Sequence, residues 1–199
     1  MVAAMDRRAA VAHLLAERRE LVVVTGLGSP AYDACAAGDH PRTYYLWGAM
    51  GGAVPMGLGL ALARPDTPVL VLTGDGELLM GLGALATAAA KAPANLTVAV
   101  LDNRRYGETG MQASHTAKGV DLTGVAAACG FAWTTTVTRL DDVAAVRSRL
   151  EARAGLGFAD LVVAADDPAR VLPPRDGVRL KRRVRAALGV EAGLSPDPG

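Results

Sequence analysis

Aromatic side chains are scarce in this chain: Phe, Trp and Tyr make up 4% of its 199 residues. So few rings make no platform on which bases could stack. Charge of either sign is not in excess. The formal net charge is +1, so the chain has no bulk field to hold a polyanion, and no nucleic-acid partner is expected. Long apolar runs are missing too. Gly, Pro and charged residues interrupt every candidate before about 18 apolar residues accumulate, so no membrane partner is expected. Asp6, Arg7 and Arg8 precede a helical pattern with no apolar leader core, and the expected location is cytoplasmic. Cysteine is limited to Cys35 and Cys129, isolated among apolar or small residues, which reads as two reduced, buried thiols rather than a disulfide. No Gly-x-Gly-x-x-Gly opens a helix after a strand and no Walker sequence occurs, which argues against a nucleotide-binding α/β protein. There is no internal repeat.

What is present suits a soluble globular domain: 51% hydrophobic and 21% charged residues, in a length that buries a sizeable core. The elements alternate. Helical spacing covers Asp6 to Glu20, and Leu21 to Thr25 is a short apolar strand. After Gly26-Leu-Gly28 a helix runs from Ala31 to Ala37, with Ser29 as N-cap and Pro30 in its first turn. Arg42 to Trp47 is extended, and Gly51 to Ala63 is a glycine-rich helix. Val69 to Leu72 is a strand, Glu77 to Lys91 a helix, and Leu96 to Leu101 a strand. Residues 104–119 read as a long loop. Asp121 to Cys129 is a helix capped by Asp121 or Thr123 and ended by Gly130. Phe131 to Val137 favours β structure, Leu140 to Ala154 is helical, and Phe158 to Ala165 is the last strand. This alternation predicts a three-layer α/β/α fold with a mostly parallel, doubly wound sheet. Residues 1–172 form a single domain in this reading. Residues 173–199 add a basic helix, Val178 to Leu188, and a disordered Gly/Pro-rich tail.

The chemistry gathers at two strand ends. Gly74-Asp75-Gly76 follows one strand and Asp102-Asn103 follows the next, with 25 residues between the two motifs. In a doubly wound sheet, ligands sit outside the carboxyl ends of the strands. Asp75 offers an anionic oxygen and Asn103 a neutral amide oxygen, a pairing that suits a hard cation such as Mg2+. Glycines let a backbone approach closely, and helix N-terminal amides favour phosphate. A metal held by so few protein oxygens completes its shell with phosphate and water, which points to a diphosphate cofactor. Either motif by itself is also an ordinary turn; their joint placement is what carries weight.

Leu72-Thr-Gly-Asp-Gly-Glu-Leu78, together with Val100-Leu-Asp-Asn-Arg-Arg-Tyr-Gly107, resembles the signature of the thiamine diphosphate enzymes. Leu46-Trp-Gly48-Ala-Met50-Gly51-Gly-Ala-Val-Pro55-Met-Gly-Leu-Gly59 is similar to the block that cradles the aminopyrimidine ring in that family. The likeness is to the diphosphate-binding, C-terminal-type domain and extends over residues 20 to 165. It implies thiamine diphosphate and Mg2+ as cofactors, with Asp75, the Asn103 side chain and the backbone carbonyl of Arg105 as metal ligands. Gly74, Gly76, Glu77, Tyr106 and Gly107 would lie against the diphosphate, helped by Gly28 and Ser29. Met50 would be the wedge that bends the cofactor, and the backbone at Gly48 and Met50 would bond the aminopyrimidine. Asp102 departs from the family's usual Asn at a position that is not a metal ligand.

Ala92-Pro-Ala-Asn-Leu96 and the segment from Tyr106 to Thr116 resemble the sulfopyruvate and phosphonopyruvate decarboxylase group. The implied reaction is decarboxylation of a small 2-oxo acid. The family's activating glutamate sits on a pyrimidine-binding domain, for which this chain has no room; Glu20 and Glu77 are poor substitutes. The resemblance therefore implies a separate pyrimidine-binding subunit and a hetero-oligomer built on dimers. His115 is a candidate for the substrate pocket, against a bland reading as a loop histidine. Arg42, Arg104 and Lys118 are candidate charges toward a sulfonate or phosphonate. The basic helix reads as a solvated face or a subunit contact. Competing readings are an acetolactate synthase-type carboligase subunit and a non-catalytic subunit that retains the fold.

Overall fold

A computed structural model describes residues 4–190; residues 191–199, the larger part of the Gly/Pro-rich tail read as disordered, lie outside them. Six parallel strands form one sheet: β1 (Val22–Thr25), β2 (Thr43–Tyr45), β3 (Val69–Gly74), β4 (Leu96–Asp102), β7 (Trp133–Val137) and β8 (Gly157–Val162). Their spatial order is β2-β1-β3-β4-β8-β7. A short antiparallel hairpin, β5 (Arg105–Tyr106) and β6 (Gln112–Ala113), stands apart within the segment read as a loop. The order reverses between β1 and β3, so the switch point of the sheet lies where the loops after these strands meet.

The central strands are apolar on both faces, as parallel strands between two helix layers must be. Leu70 and Leu72 join one core with α1 (Arg7–Leu14), α2 (Ser29–Ala36) and α7 (Val143–Glu151). Val69 and Val71 join the other, with α3 (Ala53–Ala63), α4 (Asp75–Met80), α5 (Ala84–Lys91) and α6 (Leu122–Cys129). The expected three-layer α/β/α architecture is therefore present. Gly57 explains the glycines of α3: a Cβ there would overlap Val71, so the helix lies closer to the sheet than any side chain permits. Asn95, buried before β4, donates to the carbonyls of Arg64 and Thr67 at 2.9 and 2.7 Å. It thereby satisfies carbonyls at the end of α3 and in the turn into β3.

Local signals decide most helix ends. Asp6 caps α1 by accepting from the Ala9 amide at 2.7 Å, and Asp121 caps α6 by accepting from Gly124 at 2.9 Å. Gly130 ends α6 at φ +100°, the left-handed turn that glycine supplies without cost. Several expected boundaries move. The first helix stops at Leu14 rather than Glu20, since Glu17 and Arg19 adopt positive φ. Ser29 is the first helical residue of α2 and Gly28 occupies the cap, with no side-chain bond. The helix expected from Glu77 to Lys91 is two helices, broken where the Gly81 backbone packs against that of Gly51. Residues 140–142 form a 3-10 turn before α7. Cys35 and Cys129 are both free and half-buried, less enclosed than expected.

The basic helix is α8 (Gly177–Ala187), one residue earlier at each end than expected. Its apolar edge, Leu180 and Val184, is buried, and Arg183 donates to Asp39 at 2.6 Å and to the Thr43 carbonyl at 2.8 Å. It thus covers the exposed edge of β2, while Arg179, Lys181 and Arg182 face outward. No helix among the described residues is long and apolar enough to cross a membrane.

Candidate functional site

Parallel pairing sets Gly74 beside Leu101, so the loops leaving β3 and β4 start side by side. Between them and the loop after β1 opens a cleft. Its wall contains Ser29, Met50, Gly74, Asp75, Gly76, Glu77, Asn103, Arg105, Tyr106 and Gly107, all expected there from the sequence. Arg7, Leu27, Pro30, Leu101, Glu108 and Thr109 complete it. Gly28, Gly48 and His115 are not on this wall. Gly28 turns the chain at φ +78°, with the Glu108 side chain packed where a Cβ would stand. Gly48 is exposed, at φ +71°.

Asp75 is 2% exposed and opens α4. Its Oδ2 accepts from Ser114 Oγ at 2.5 Å and from Thr116 Oγ1 at 3.1 Å. Thr116 Oγ1 also lies 2.8 Å from Asp102 Oδ1, which accepts from the Arg104 amide at 2.9 Å. Burial pushes the Asp75 carboxyl up to about 6; the nearby Asp102 charge adds to this, while the Ser114 and Thr116 bonds oppose it. Asp160, on β8 opposite Val100, is a third buried carboxyl here. Burial, then the charges of Asp102, Asp75 and Asp121, push it up to about 7, and its Oδ1 has no hydrogen-bond partner. Sequence reading missed Ser114, Thr116 and Asp160. The Ser-x-Thr spacing was available, but nothing local says that the hairpin folds back to bring it under Asp75.

Asn103 Oδ1 accepts from the Arg105 amide at 2.9 Å. This tight turn, with Arg104 at φ +61°, puts the Asn103 side chain and Arg105 on the cleft wall. The Tyr106 ring packs against Gly76: a Cβ there would come within 2.6 Å of the ring. The Tyr106 hydroxyl meets His115 Nδ1 at 2.7 Å. His115 is itself exposed and reaches the cleft only through Tyr106. Met50 presents its side chain at the mouth, 40% exposed.

Glu77 turns inward. Its carboxylate accepts from the Thr73 hydroxyl and, at 3.2 Å, from the Gly51 amide. Burial raises its pKa, opposed by bonds from Thr73 and from the Ala53 and Gly51 amides. The side chain therefore ties the end of β3 to the Met50 loop and the start of α3. Of the other candidates, Arg42 pairs with Glu20 at 2.5 Å on the surface, and Arg104 and Lys118 are exposed off this wall. No group of three His, Cys, Asp or Glu side chains among the described residues is arranged to hold a metal. A cation here would draw on amide, peptide and ligand oxygens as well as on Asp75.

Comparisons with known proteins agree with this arrangement. Residues 30–159 match the family described as thiamine pyrophosphate enzyme, C-terminal TPP binding domain. The chain is 42% identical over 127 residues to the sulfopyruvate decarboxylase subunit beta of Methanothermobacter thermautotrophicus, covering 64% of this chain and 68% of that one. It is 45% identical over 138 residues to the phosphonopyruvate decarboxylase of Streptomyces viridochromogenes, covering 69% of this chain but 34% of that one. It thus spans about a third of that longer relative. In fold, it superposes on the thiamine diphosphate-dependent 4-hydroxybenzoylformate decarboxylase of Rhodococcus jostii with a TM-score of 0.68, at 23% identity, over 83% of this chain and 34% of the other. With its signature loops on one cleft and more than half its length matched, the chain belongs to the thiamine pyrophosphate enzymes, in their C-terminal TPP-binding domain.

Proposed function

We propose that this chain is the cofactor-binding subunit of a split thiamine diphosphate-dependent 2-oxo acid decarboxylase, a lyase of the sulfopyruvate or phosphonopyruvate type. The observation that carries the reading is the convergence of Asp75 and Asn103, from loops after neighbouring parallel strands, on one cleft with Met50 at its mouth. The donor set is all oxygen, which suits Mg2+. Both hydroxyl bonds to Asp75 land on Oδ2, so Oδ1 is the oxygen for the cation, with the Asn103 amide oxygen and the Arg105 carbonyl. Ser29, Gly74, Gly76, Tyr106 and Gly107 line the diphosphate, and Gly28 shapes the turn that presents Ser29. Met50 is the apolar wedge beneath the cofactor, and the backbone at Gly48 and Met50 meets the aminopyrimidine. Glu77 contributes by holding the Met50 loop, and His115 by orienting Tyr106.

Bound thiamine diphosphate supplies the electron sink for breaking the bond between the carboxylate and the keto carbon of a 2-oxo acid. Activating it needs a glutamate facing the aminopyrimidine. Glu20 is on the surface with Arg42 and Glu77 is committed to Thr73 and Gly51. Glu108 is exposed and lies 3.7 Å from Arg170. This supports a glutamate supplied by a pyrimidine-binding partner chain, in a cytoplasmic hetero-oligomer built on dimers. The test is to assay this chain, alone and with a candidate partner chain, for carbon dioxide release from sulfopyruvate, phosphonopyruvate and pyruvate. Activity only in the mixture is expected. Turnover by the single chain at a rate ordinary for thiamine enzymes would overturn the split-site reading.

A further inference from the structure

Arg7 stands on the cleft wall next to Ser29, Asn103 and Gly107, although it belongs to α1, far from either signature loop in sequence. It is 4% exposed. A guanidinium is taken out of water at a considerable cost unless its hydrogen bonds and charge are met. Asp33, itself 1% exposed, accepts from Arg7 Nε, and the Asp166 carbonyl accepts from Nη1 at 3.3 Å. Asp33 also accepts from Arg8 Nε at 3.2 Å. Two guanidiniums thus share one buried carboxylate. The Nη2 group of Arg7 makes no hydrogen bond to the described residues.

A diphosphate ester carries more negative charge than one divalent cation held by an anionic Asp75 can neutralise. A planar, permanently charged guanidinium whose other arms are fixed in place is the side chain best suited to a phosphate. The other cationic side chain on the wall, Arg105, is exposed. We propose that Arg7 is a diphosphate-binding residue, its guanidinium fixed by Asp33 and the Asp166 carbonyl so that Nη2 takes the terminal phosphate. The assignment rests on the reading of the cleft as a thiamine diphosphate site.

The test compares thiamine diphosphate with thiamine monophosphate, which lacks the terminal phosphate, by calorimetry in the presence of Mg2+. It uses the full chain, with its partner chain when one is required for binding. R7M should weaken thiamine diphosphate roughly ten- to a hundred-fold, the range for a lost charge-assisted hydrogen bond, and leave thiamine monophosphate within about two-fold. R8M, which keeps Arg7 on Asp33, should change neither ligand. R7K keeps a charge but loses the fork, and should fall between wild type and R7M on the diphosphate alone; it carries the test should R7M not fold. Equal weakening of both ligands by R7K or R7M would mean that Arg7 only supports the fold and would overturn the proposal. So would unchanged diphosphate affinity. A wild-type chain that binds no thiamine diphosphate would instead sink the cofactor reading itself.

Discussion

Asp75 and Asp102, at the ends of neighbouring parallel strands, are joined through one hydroxyl: Thr116 Oγ1 lies 3.1 Å from the first carboxylate and 2.8 Å from the second. Two buried carboxylates this close repel each other when both are ionised, and Asp160 adds a third. The Ser114 and Thr116 hydroxyls relieve that repulsion, as would the proposed divalent cation at Asp75. This relationship organises three expected outcomes.

Replacing Asp75 with Ala removes the anionic ligand of the proposed Mg2+ site. Thiamine diphosphate binding in the presence of Mg2+ should fall by more than about a hundred-fold, since ligand loss exceeds the effect of losing a supporting bond. In the wild-type chain, affinity should also weaken as pH falls through about 6, where protons compete with the cation for Asp75. Calorimetry with and without Mg2+ measures both, and unchanged binding by D75A would refute the metal assignment.

Thr116→Val keeps the shape of the side chain and deletes the shared hydroxyl. The one hydroxyl proton that the two buried carboxylates share is then lost, which should cost about 1–3 kcal/mol of folding stability in the metal-free chain. Urea denaturation reads this directly. A variant as stable as wild type would mean that Ser114 and solvent replace the lost bonds.

Asp160→Asn should stabilise the metal-free chain at high pH. The folded carboxyl titrates at about 7, against 3.8 for the ordinary group. The folded state therefore holds its proton more tightly than the unfolded state, and the stability tied to that proton is lost as pH rises from about 4 through 7. Asn has no charge to bury, so its advantage should be about 1–3 kcal/mol at pH 8 and vanish below pH 4. Thermal melts of both chains across that range measure it. A constant difference at every pH would mean that the Asp160 carboxyl titrates alike in the folded and unfolded chains, and would refute the shift.

Much of this was legible in the sequence because it is local. Strands buried on both faces read as unbroken apolar runs, as at Val69 to Leu72. Asp121 and Gly130 mark both ends of α6. Where long-range packing intervened, the reading slipped. The close approach of the Gly51 and Gly81 backbones breaks one expected helix into α4 and α5. The hairpin from Arg105 to Ala113 lay hidden in a glycine-bearing loop, since two-residue strands carry no periodicity to detect. Glu77 follows the glycine motif and lines the cleft, but only the packed chain shows its carboxylate drawn inward by Thr73 and by the amides at the start of α3.

The sequence by itself determined the alternation of strands and helices, and with it the placing of Asp75 and Asn103 just beyond two strand ends. Strand propensity and turn chemistry act over a few residues and need no tertiary partner. The tertiary structure decided which distant groups share their surroundings. Ser114 and Thr116 reach Asp75 across 39 and 41 residues, and Arg7 reaches Asp33 across 26. Those pairings arise because a buried charge must find its donors or counter-charge inside the fold, and only the packed chain brings them within reach.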